Sequence, residues 1–353
     1  MSTAWFTKAL LPWYAEHRRP LPWRQTRDPY RIWLSEVILQ QTRVDQGMAY
    51  WHRFVERYPT VAQLAAAPED DVLRLWQGLG YYSRARNLRT AALQVVKDHG
   101  GEFPAEYDQL KGLKGVGDYT AAAIGSIAFG LVEPVVDGNV YRVLARVFSI
   151  GTPIDSTAGR KEFRALAATL MHPKQPGDHN QAVMELGATV CTPKKPLCGE
   201  CPLAGKCIAR KTDRIAELPY KAGKTKTRTR HFNYLHIEGK GGIVLTQRTG
   251  KDIWQGLWEL PLIETEKATK PKRIATELEQ RLGPGWTVTG MHGPVKQVLS
   301  HQVIQATFWK LTHPKGTYLP KEWVLVKWEA VDRYGLHRLM ERYLGDQLTG
   351  RPA

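Results

Sequence analysis

The sequence predicts a multi-domain protein with an all-α region followed by a mixed α/β domain. Apolar residues at helical spacing dominate the early segments PEDDVLRLWQGL (68–79), RNLRTAALQVVKDHG (86–100) and GRKEFRALAATLM (159–171). After a basic segment, β-branched and aromatic runs predict strands. A chain of 353 residues with 42% hydrophobic content is long enough for two or three domains with cores of their own.

Charge and apolar patterning restrict the classes of partner. The net charge of +16 favours a polyanion, with nucleic acid ahead of a membrane surface, although basic charge can also serve solubility alone. Lys8 and Pro12 interrupt the N-terminal apolar residues, so we expect no export signal. The longest apolar stretch, AAAIGSIAFGLV (121–132), is too short to span a bilayer. We therefore expect a cytoplasmic monomer, nucleoid-associated if bacterial, without membrane partners.

The first candidate catalytic residue is Glu36 in RIWLSEVILQQ (31–41). Its neighbours Trp33, Leu34, Val37 and Ile38 are apolar, so partial burial would raise its pKa and make it a useful general acid. The alternative is a solvent-exposed carboxylate on a polar helical face, as its helical spacing to other polar residues allows.

A glycine-containing turn precedes the Ala-rich helix of LKGVGDYTAAAIGSIAFG (113–130). Gly115 and Gly117 allow unusual backbone angles and close approach, and the following helix N-terminus presents N–H groups to an anion. Lys114 adds positive charge. These features predict a phosphate contact, while an ordinary helix–turn–helix connection explains them equally well.

The second candidate carboxyl group is Asp137 in VVDGNV (135–140). Its position before an apolar helical pattern predicts an N-cap, which is compatible with catalysis and is also a sufficient explanation without it.

All four cysteines lie in one loop with the spacing C-x6-C-x2-C-x5-C: Cys191, Cys198, Cys201 and Cys207. One close pair flanked by two single cysteines favours an iron–sulfur cluster over tetrahedral zinc, and disulfides are rare in the predicted compartment. Lysines around the loop either face a phosphate backbone or maintain solubility.

A basic linker and a set of strands and helices make up the rest of the chain. Residues 210–230 contain eight basic and two acidic residues. Strands are predicted in HFNYLHI (231–237), GIVLTQR (242–248), QVIQATFWKL (302–311) and EWVLVKW (322–328), and helices in PKRIATELEQRLG (271–283) and DRYGLHRLMERYL (332–344).

Several motifs occur together in the order found in helix–hairpin–helix DNA glycosylases. They are L-x-G-V-G-x-Y-T-A (113–121), VVDGNVYRVLARV (135–147) and the cysteine loop. LSEVILQQTRV (34–44) closely resembles the MutY-type adenine DNA glycosylases. The resemblance covers essentially residues 1–220, and the C-terminal third is more loosely similar to the recognition domain of that family.

The resemblance implies a domain organisation. A helical iron–sulfur domain would comprise residues 1–24 and 132–215, and a six-helix domain with the hairpin would comprise residues 25–131. Residues 216–230 would be a basic linker and residues 231–353 a Nudix-like recognition domain.

The resemblance also implies roles for the candidate residues. Glu36 would protonate adenine at N7, Asp137 would stabilise the sugar cation or its adduct, and Asn139 and Tyr119 would lie in the same site. Relatives that also cut the DNA backbone carry a lysine nucleophile at the position of Tyr119. Since tyrosine cannot form the required Schiff base, we expect a monofunctional glycosylase. Lys114 departs from the proline that is common in the family, and leaves an opening for adventitious strand cleavage.

Further residues are carried over as DNA and base contacts. Gln41 and Tyr81 would intercalate as the base is extruded, although a helix-end polar residue and a core aromatic are the simpler interpretations. The adenine pocket would be lined by Arg19, Trp23, Gln181 and Met184, the last of which is also compatible with plain core packing.

The C-terminal segment resembles a Nudix fold without its catalytic acidic array. GLWELP is followed by scattered glutamates, so we expect recognition without hydrolysis. QVLSHQ (297–302) offers Ser300 and His301 for checking an opposite 8-oxoguanine, with Leu299 where an aromatic residue is frequent; a surface histidine is the alternative.

The resemblance thus implies an adenine DNA glycosylase. It would act on double-stranded DNA with adenine opposite 8-oxoguanine or guanine, and would carry a structural [4Fe–4S] cluster. Two alternatives are a pyrimidine glycosylase/lyase of the same superfamily, against which Tyr119 and the C-terminal extension argue, and a non-catalytic DNA-binding redox sensor.

Overall fold

The protein is described by a computed structural model over residues 4–223, 227–313 and 318–349. Two compact units divide the chain. Unit 1 comprises Met1–Ala66 and Asn87–Gly223, and unit 2 comprises Ala67–Arg86 and Lys224–Ala353. The predicted boundaries at residues 24, 131 and 215 remain predictions, and residues 224–226 of the predicted linker lie outside the described residues.

Helices account for all regular structure in residues 4–223. They are α1 Ala4–His17, α2 Pro29–Leu39, α3 Val44–Arg57, α4 Val61–Ala66, α5 Glu69–Leu75, α6 Ser83–His99, α7 Tyr107–Gly112, α8 Asp118–Ala128, α9 Gly138–Phe148, α10 Thr157–Leu170, α11 Pro176–Thr189 and α12 Ile208–Lys211, with short 3-10 turns at Pro22–Arg24 and Ala204–Lys206. The predicted all-α region is therefore confirmed. Across the described part of the chain, none of the helices combines the length and apolar character that crossing a membrane requires.

Close packing of helices around α8 brings the candidate catalytic residues together. Ala121, Ala122 and Ala123 on α8 are fully buried, and their small side chains allow α2 and α11 to approach this helix. A larger core lies where α1, α9, α10 and α11 meet, around Phe6 and Phe163. Glu36 on α2, Tyr119 on α8 and the start of α9 thus belong to one packed assembly.

Unit 2 contains a mixed seven-stranded sheet between two helices. The elements are β1 Arg228–Gly239, β2 Gly242–Gln247, β3 Trp258–Glu259, β4 Leu262–Thr265, α13 Pro271–Leu282, β5 Thr287–Val298, β6 Gln302–Thr312, β7 Trp323–Lys327, a 3-10 turn at Trp328–Arg333 and α14 Arg338–Thr349. The strand order is β3-β2-β1-β6-β5, with β4 paired to β1 and β7 to β2. The β1–β6 pair is parallel and the other pairs are antiparallel.

Alternation along β1 gives the sheet two apolar faces. Phe232 and Tyr234 face the core that includes α14, while Leu235 and Ile237 face the core that includes α13. A sheet covered by helices on both faces confirms the predicted mixed α/β domain.

Two local predictions fail for tertiary reasons. β5 was not predicted, because Gly290, Gly293 and Pro294 weaken its strand pattern; it is an edge strand with irregularities on either side of the Gly290–His292 segment, where such residues are tolerated. The predicted helix over 332–344 begins at Arg338, because Leu336 forms a parallel bridge to Trp258 instead.

Candidate active site

Glu36 is a buried carboxyl group that accepts a hydrogen bond from a neighbouring tyrosine. Its exposure is 9%, and the Tyr119 hydroxyl donates to its Oε2 atom at 2.6 Å. Burial raises the pKa of Glu36 to about 7; the charge of Asp137 adds to the rise, while the Tyr119 hydrogen bond and Arg24 oppose it. The exposed-face alternative is excluded, and the carboxyl group can act as a proton donor near neutral pH.

Asp137 caps α9 as its sequence position predicts. Its Oδ1 atom accepts from the backbone N–H groups of Asn139 at 2.9 Å and Val140 at 2.8 Å, and its Oδ2 atom accepts from the Asn139 side-chain amide at 2.8 Å. Burial raises the pKa of Asp137, and these donors oppose that rise. The cap therefore both holds the carboxyl group in place and favours its charged form.

Arg142 connects this cap to the cysteine loop. Its Nη2 atom donates to Asn139 Oδ1 at 2.8 Å and to the Gly187 carbonyl at 2.7 Å, and its Nε atom donates to the Cys191 carbonyl at 2.7 Å. The side chain is buried. The orientation of Asn139, and through it that of Asp137, thus depends on a residue that also binds the backbone of Cys191.

Arg19, a predicted pocket residue, and Arg24, which was not predicted, both bind one buried acid. Glu185 accepts from Arg19 Nε at 2.8 Å and Nη2 at 2.7 Å, and from Arg24 Nη2 at 2.7 Å. Although burial acts to raise it, these hydrogen bonds lower the pKa of Glu185 to about 2. Glu185 therefore stays ionised and orients Arg24, whose charge acts on Glu36.

Of the other predicted pocket residues, Gln181 and Trp23 are buried and Met184 is partly buried. Met184 lies with its Sδ atom 3.6 Å from the Tyr119 hydroxyl, so it contacts the site as well as the core. Gln181 is buried and accepts from the Tyr14 hydroxyl at 3.3 Å. Trp23 is buried with its ring 5.8 Å from that of Trp51. Their contact with a base stays a prediction.

The hairpin between α7 and α8 requires glycine at one position. Gly115 has φ +79°, and a Cβ atom there would lie 2.8 Å from Asn87 Cβ. Gly117 precedes the first turn of α8 in an extended conformation. Lys114 is exposed, and its backbone N–H donates to Gln94 Oε1 at 2.7 Å. The predicted phosphate contact remains a prediction.

Both predicted intercalating residues have left-handed backbone conformations. Gln41 has φ +56° and Tyr81 has φ +49°. Such strain in residues other than glycine is costly and is concentrated at functional positions. Tyr81 is 45% exposed, so the core-aromatic alternative is excluded. Gln41 is exposed just after α2.

Ser300 and His301 lie in the turn between β5 and β6 and are both exposed. Within unit 2, the hydroxyl groups of Ser300 and Tyr81 share a hydrogen bond. Two residues selected from the sequence for separate roles therefore contact each other.

The four cysteines line a single cavity whose other walls include Val143, Val147 and Leu186. All four are free thiols, which excludes the disulfide alternative. Burial and the other three sulfurs raise the pKa of Cys201 to about 11, so four thiolates at this site require a cationic group. Arg146, buried beside them, lies with Nη1 3.5 Å from Cys191 Sγ. This donor set fits an iron–sulfur cluster.

Three known families match separate parts of the chain. Residues 34–168 match the HhH-GPD superfamily of base excision DNA repair proteins, residues 191–211 match the iron–sulfur binding domain of endonuclease III, and residues 233–346 match the NUDIX domain. The predicted fold is confirmed, and an iron–sulfur site is favoured over zinc.

Curated relatives extend the similarity over most of the chain. The human adenine DNA glycosylase is 37% identical over 79% of this chain, and the rat adenine DNA glycosylase is 36% identical over 89% of this chain and 72% of its own length. The chain belongs to the adenine DNA glycosylase family. It spans 61% of the human protein's length.

Solved structures of other glycosylases share the helical fold of this adenine DNA glycosylase family member. A thermostable thymine-DNA glycosylase has a TM-score of 0.56 and 30% identity, covering 60% of this chain and 97% of its own. Endonuclease III in a non-covalent DNA complex has a TM-score of 0.52 and 22% identity, covering 60% of this chain and 98% of its own.

Three residues of this glycosylase-family site, Arg24, Arg142 and Glu185, were missed by sequence reasoning. Arg142 follows Asn139 by one helical turn, and Glu185 directly follows Met184. For Arg142 and Glu185, the available signal was a charged residue within an otherwise apolar helical segment, which indicates burial with a partner but not the identity of that partner.

Proposed function

We propose that this protein hydrolyses the N-glycosidic bond of adenine that stands opposite 8-oxoguanine or guanine in double-stranded DNA. The observation that carries the proposal is the buried Glu36, with a pKa of about 7, held by Tyr119 in the same packed site as the capped Asp137. The net charge of +16 suits a duplex partner, and the curated relatives are named as adenine DNA glycosylases.

Glu36 serves as the general acid. Protonation of adenine at N7 makes the base a better leaving group, and a donor with a pKa near the operating pH performs this step efficiently. The rate of adenine release should therefore fall as pH rises through about 7, where the carboxyl group loses its proton. Arg24, fixed by Glu185, and Tyr119 keep that pKa from rising further.

Asp137 stabilises the cation that remains on the sugar. Its three N–H donors hold the carboxylate in one orientation, and its charge is opposite to that of the oxocarbenium-like state. Water completes the hydrolysis. Since Tyr119 cannot form a Schiff base, the enzyme is monofunctional.

The duplex is opened by residues whose backbones are already strained. Gln41 and Tyr81 fill the space left by the extruded adenine, and the base enters a pocket formed by Arg19, Trp23, Gln181 and Met184. The hairpin residues Lys114, Gly115 and Gly117 contact a phosphate.

The cysteine loop holds a [4Fe–4S] cluster with Cys191, Cys198, Cys201 and Cys207 as ligands. When bound, the cluster would cross-link the four cysteines of the loop, and it would take no part in base removal. Arg142 and Arg146 bind backbone carbonyls of the loop and so fix it against α9.

The decisive test replaces the proposed acid. Glu36→Gln should reduce single-turnover adenine release from an 8-oxoguanine:adenine duplex by about 10²–10⁴-fold, since a general acid contributes about that much. Duplex binding should persist. Glu56→Gln, an exposed glutamate on α3, is the matched control and should leave the rate unchanged. Normal adenine release by Glu36→Gln would exclude this mechanism and support a non-catalytic sensor.

Opposite-base recognition is tested by Ser300→Ala combined with His301→Ala. This change should reduce the preference for 8-oxoguanine over guanine by more than it reduces the rate on the guanine duplex, because both side chains lie on an exposed turn away from Glu36 in sequence. The preference is measured as the ratio of rates on the two duplexes. Thr287→Ala, at the far end of β5, should leave the ratio unaltered; an unaltered ratio in the double variant would eliminate this role.

A further inference from the structure

Helix α3 contains a buried glycine for which no reason has been given so far. Gly47 lies in the first turns of α3 and is buried. Glycine in the interior of a helix is less favourable than alanine, because its backbone loses more conformational freedom on folding. A Cβ atom at Gly47 would lie 2.6 Å from Leu39 Cδ2 and 3.3 Å from Ile38 Cγ2. Gly47 therefore allows the end of α2 to pack directly against the backbone of α3.

This packing constrains the short turn that joins α2 to α3. The backbone N–H of Thr42 donates to the Leu39 carbonyl at 3.2 Å, and that of Gly47 donates to the Arg43 carbonyl at 2.8 Å. Within this turn lies Gln41, whose φ of +56° is in the left-handed region. A residue other than glycine keeps that conformation only where the surrounding structure enforces it. Leu39, two positions before Gln41, supplies one such constraint because it packs against Gly47.

A second contact holds the turn from the side of α8. Gln40, directly before Gln41, donates through its Nε2 atom to Thr120 Oγ1 at 3.3 Å. Thr120 is 2% exposed and directly follows Tyr119 on α8. The turn is thereby tied to the helix that carries a candidate catalytic residue. The Gln41 side chain itself is exposed, so it is available to a partner while its backbone is constrained.

We propose that Gly47 and Gln40 are positioning residues for Gln41, and that they hold its backbone in the strained conformation before DNA binds. The inference rests on the proposed function, in which Gln41 fills the space left by the extruded adenine. A residue that is already set in this conformation loses little further freedom when the duplex opens. Gly47 and Gln40 thus act on extrusion of the base, whereas Glu36 acts on cleavage of the glycosidic bond.

The test follows extrusion separately from cleavage. The duplex carries 2′-fluoro-2′-deoxyadenosine opposite 8-oxoguanine, because the fluorine disfavours the sugar cation and prevents base removal. 2-Aminopurine next to this nucleotide becomes more fluorescent when its neighbour leaves the stack. In stopped-flow mixing, Gly47→Ala should slow this rise about tenfold, since a displaced Leu39 no longer enforces the strain of Gln41. Gln40→Leu, which removes the hydrogen bond to Thr120, should also slow it.

A double-mutant cycle distinguishes positioning of Gln41 from a general effect on packing. Gln41→Ala alone should slow the fluorescence rise. Gly47→Ala should slow it by less than about twofold further in the Gln41→Ala background, because residues that act through one side chain have non-additive effects. On unmodified duplex, the pH midpoint of single-turnover adenine release should stay at about 7 in Gly47→Ala, since Glu36 is not displaced.

Gly345→Ala is the matched control. Gly345 also lies within a helix, α14, but a Cβ atom there would have no neighbour within 4 Å among the described residues beyond its own stretch of helix. This variant should show the wild-type fluorescence rise. Melting temperatures of all variants establish that they are folded.

Three results would overturn the proposal. A wild-type fluorescence rise in both Gly47→Ala and Gln40→Leu would show that these residues do not position Gln41. Additive effects of Gly47→Ala and Gln41→Ala would show that Gly47 acts through packing alone. A shifted pH midpoint in Gly47→Ala would assign its effect to Glu36 instead. The proposed function fails separately, if the wild-type protein gives the fluorescence rise but releases no adenine from unmodified DNA.

Discussion

At the scale of single residues, the pKa of each buried carboxyl group depends on how far neighbouring charges and hydrogen bonds compensate for its burial. Glu36 is held among apolar helices, so its ionised form is disfavoured, while Tyr119 and Arg24 limit the effect. Glu185, which is also buried, behaves in the opposite way because two arginines bind it directly. Two carboxyl groups of one helical unit thereby acquire pKa values of about 7 and about 2. Only the first can donate a proton at neutral pH.

The raised pKa of Glu36 predicts that the free energy of unfolding decreases as the pH rises. The folded state binds this proton more tightly than the unfolded chain, so the contribution of Glu36 to the free energy of unfolding is fully present below about pH 4.5 and is lost as pH rises through about 7. The pKa difference corresponds to about 3 kcal/mol. Glu36→Gln removes this dependence, and should gain up to about 3 kcal/mol over wild type between pH 4.5 and pH 8.

Denaturant unfolding at both pH values measures this difference. Glu56→Gln should follow wild type at each pH, since Glu56 is exposed. A constant difference between Glu36→Gln and wild type from pH 4.5 to pH 8 would mean that the carboxyl group is not desolvated in the folded protein.

Among the secondary-structure elements, α9 connects the candidate catalytic residue Asp137 to the cysteine loop. Its N-cap is Asp137, and one turn later Arg142 binds the Asn139 side chain on one side and the Cys191 carbonyl on the other. Arg146, a turn further on, binds the Thr192 carbonyl. The helix thus carries both the Asp137 cap and the arginines that bind the cysteine loop, so we expect a displacement of the loop to move the Asp137 carboxyl group.

Arg142→Gln should disturb both ends of this connection. Loss of the guanidinium leaves the buried carbonyl of Gly187 and the partly buried carbonyl of Cys191 without this donor, which should cost about 2–3 kcal/mol of stability. Adenine release should slow while Kd for the duplex changes little, because Arg142 acts through Asn139 and not through DNA. Iron retention, measured by absorbance during dialysis, should also fall.

Arg160→Gln on α10 provides the control for Arg142→Gln, because Arg160 is exposed and should affect none of these quantities. Unchanged iron retention together with unchanged adenine release in Arg142→Gln would refute the coupling.

At the scale of the whole molecule, two features bear on DNA binding: the positive net charge and the division of the chain into two compact units. The excess of 50 Lys and Arg over 34 Asp and Glu residues suits neutralisation of a phosphate backbone, and the candidate acid and the candidate recognition turn lie in different units. The candidate catalytic residues and the candidate recognition turn therefore belong to separate folds of one chain.

The metal content of the purified protein tests the proposal that the cysteine loop holds a [4Fe–4S] cluster. The purified protein should be brown and contain about four iron atoms per chain, as four cysteine ligands suit a [4Fe–4S] cluster. Cys198→Ala should lower the iron content and the melting temperature, and Lys161→Ala, at an exposed position of α10 outside the loop, should alter neither. Zinc in place of iron would refute the cluster.

Much of this architecture was accessible from local pattern. Helical spacing identified α6, α10 and α13, β-branched runs identified β1, β2, β6 and β7, and Asp137 was recognised as a cap from its place before α9. Each depends on residues within a few positions of one another, where periodicity and capping operate. The irregular edge strand β5 and the late start of α14 were missed, because their conformations depend on strand neighbours that are distant in sequence.

The candidate functional residues also divide into those that local pattern indicated and those that only the tertiary structure revealed. Spacing was sufficient to select the four cysteines as ligands and to mark Glu36 and Asp137 as candidate carboxyl groups, whereas the roles of these two residues and of Tyr119 came from the family resemblance. The burial of Glu36, the hold of Arg142 on Asn139 and Cys191, and the contact of Tyr81 with Ser300, 219 positions away, emerged when distant segments packed together. Desolvation and long-range hydrogen bonds have no signature in a single stretch of chain, because they depend on which surfaces the fold brings into contact.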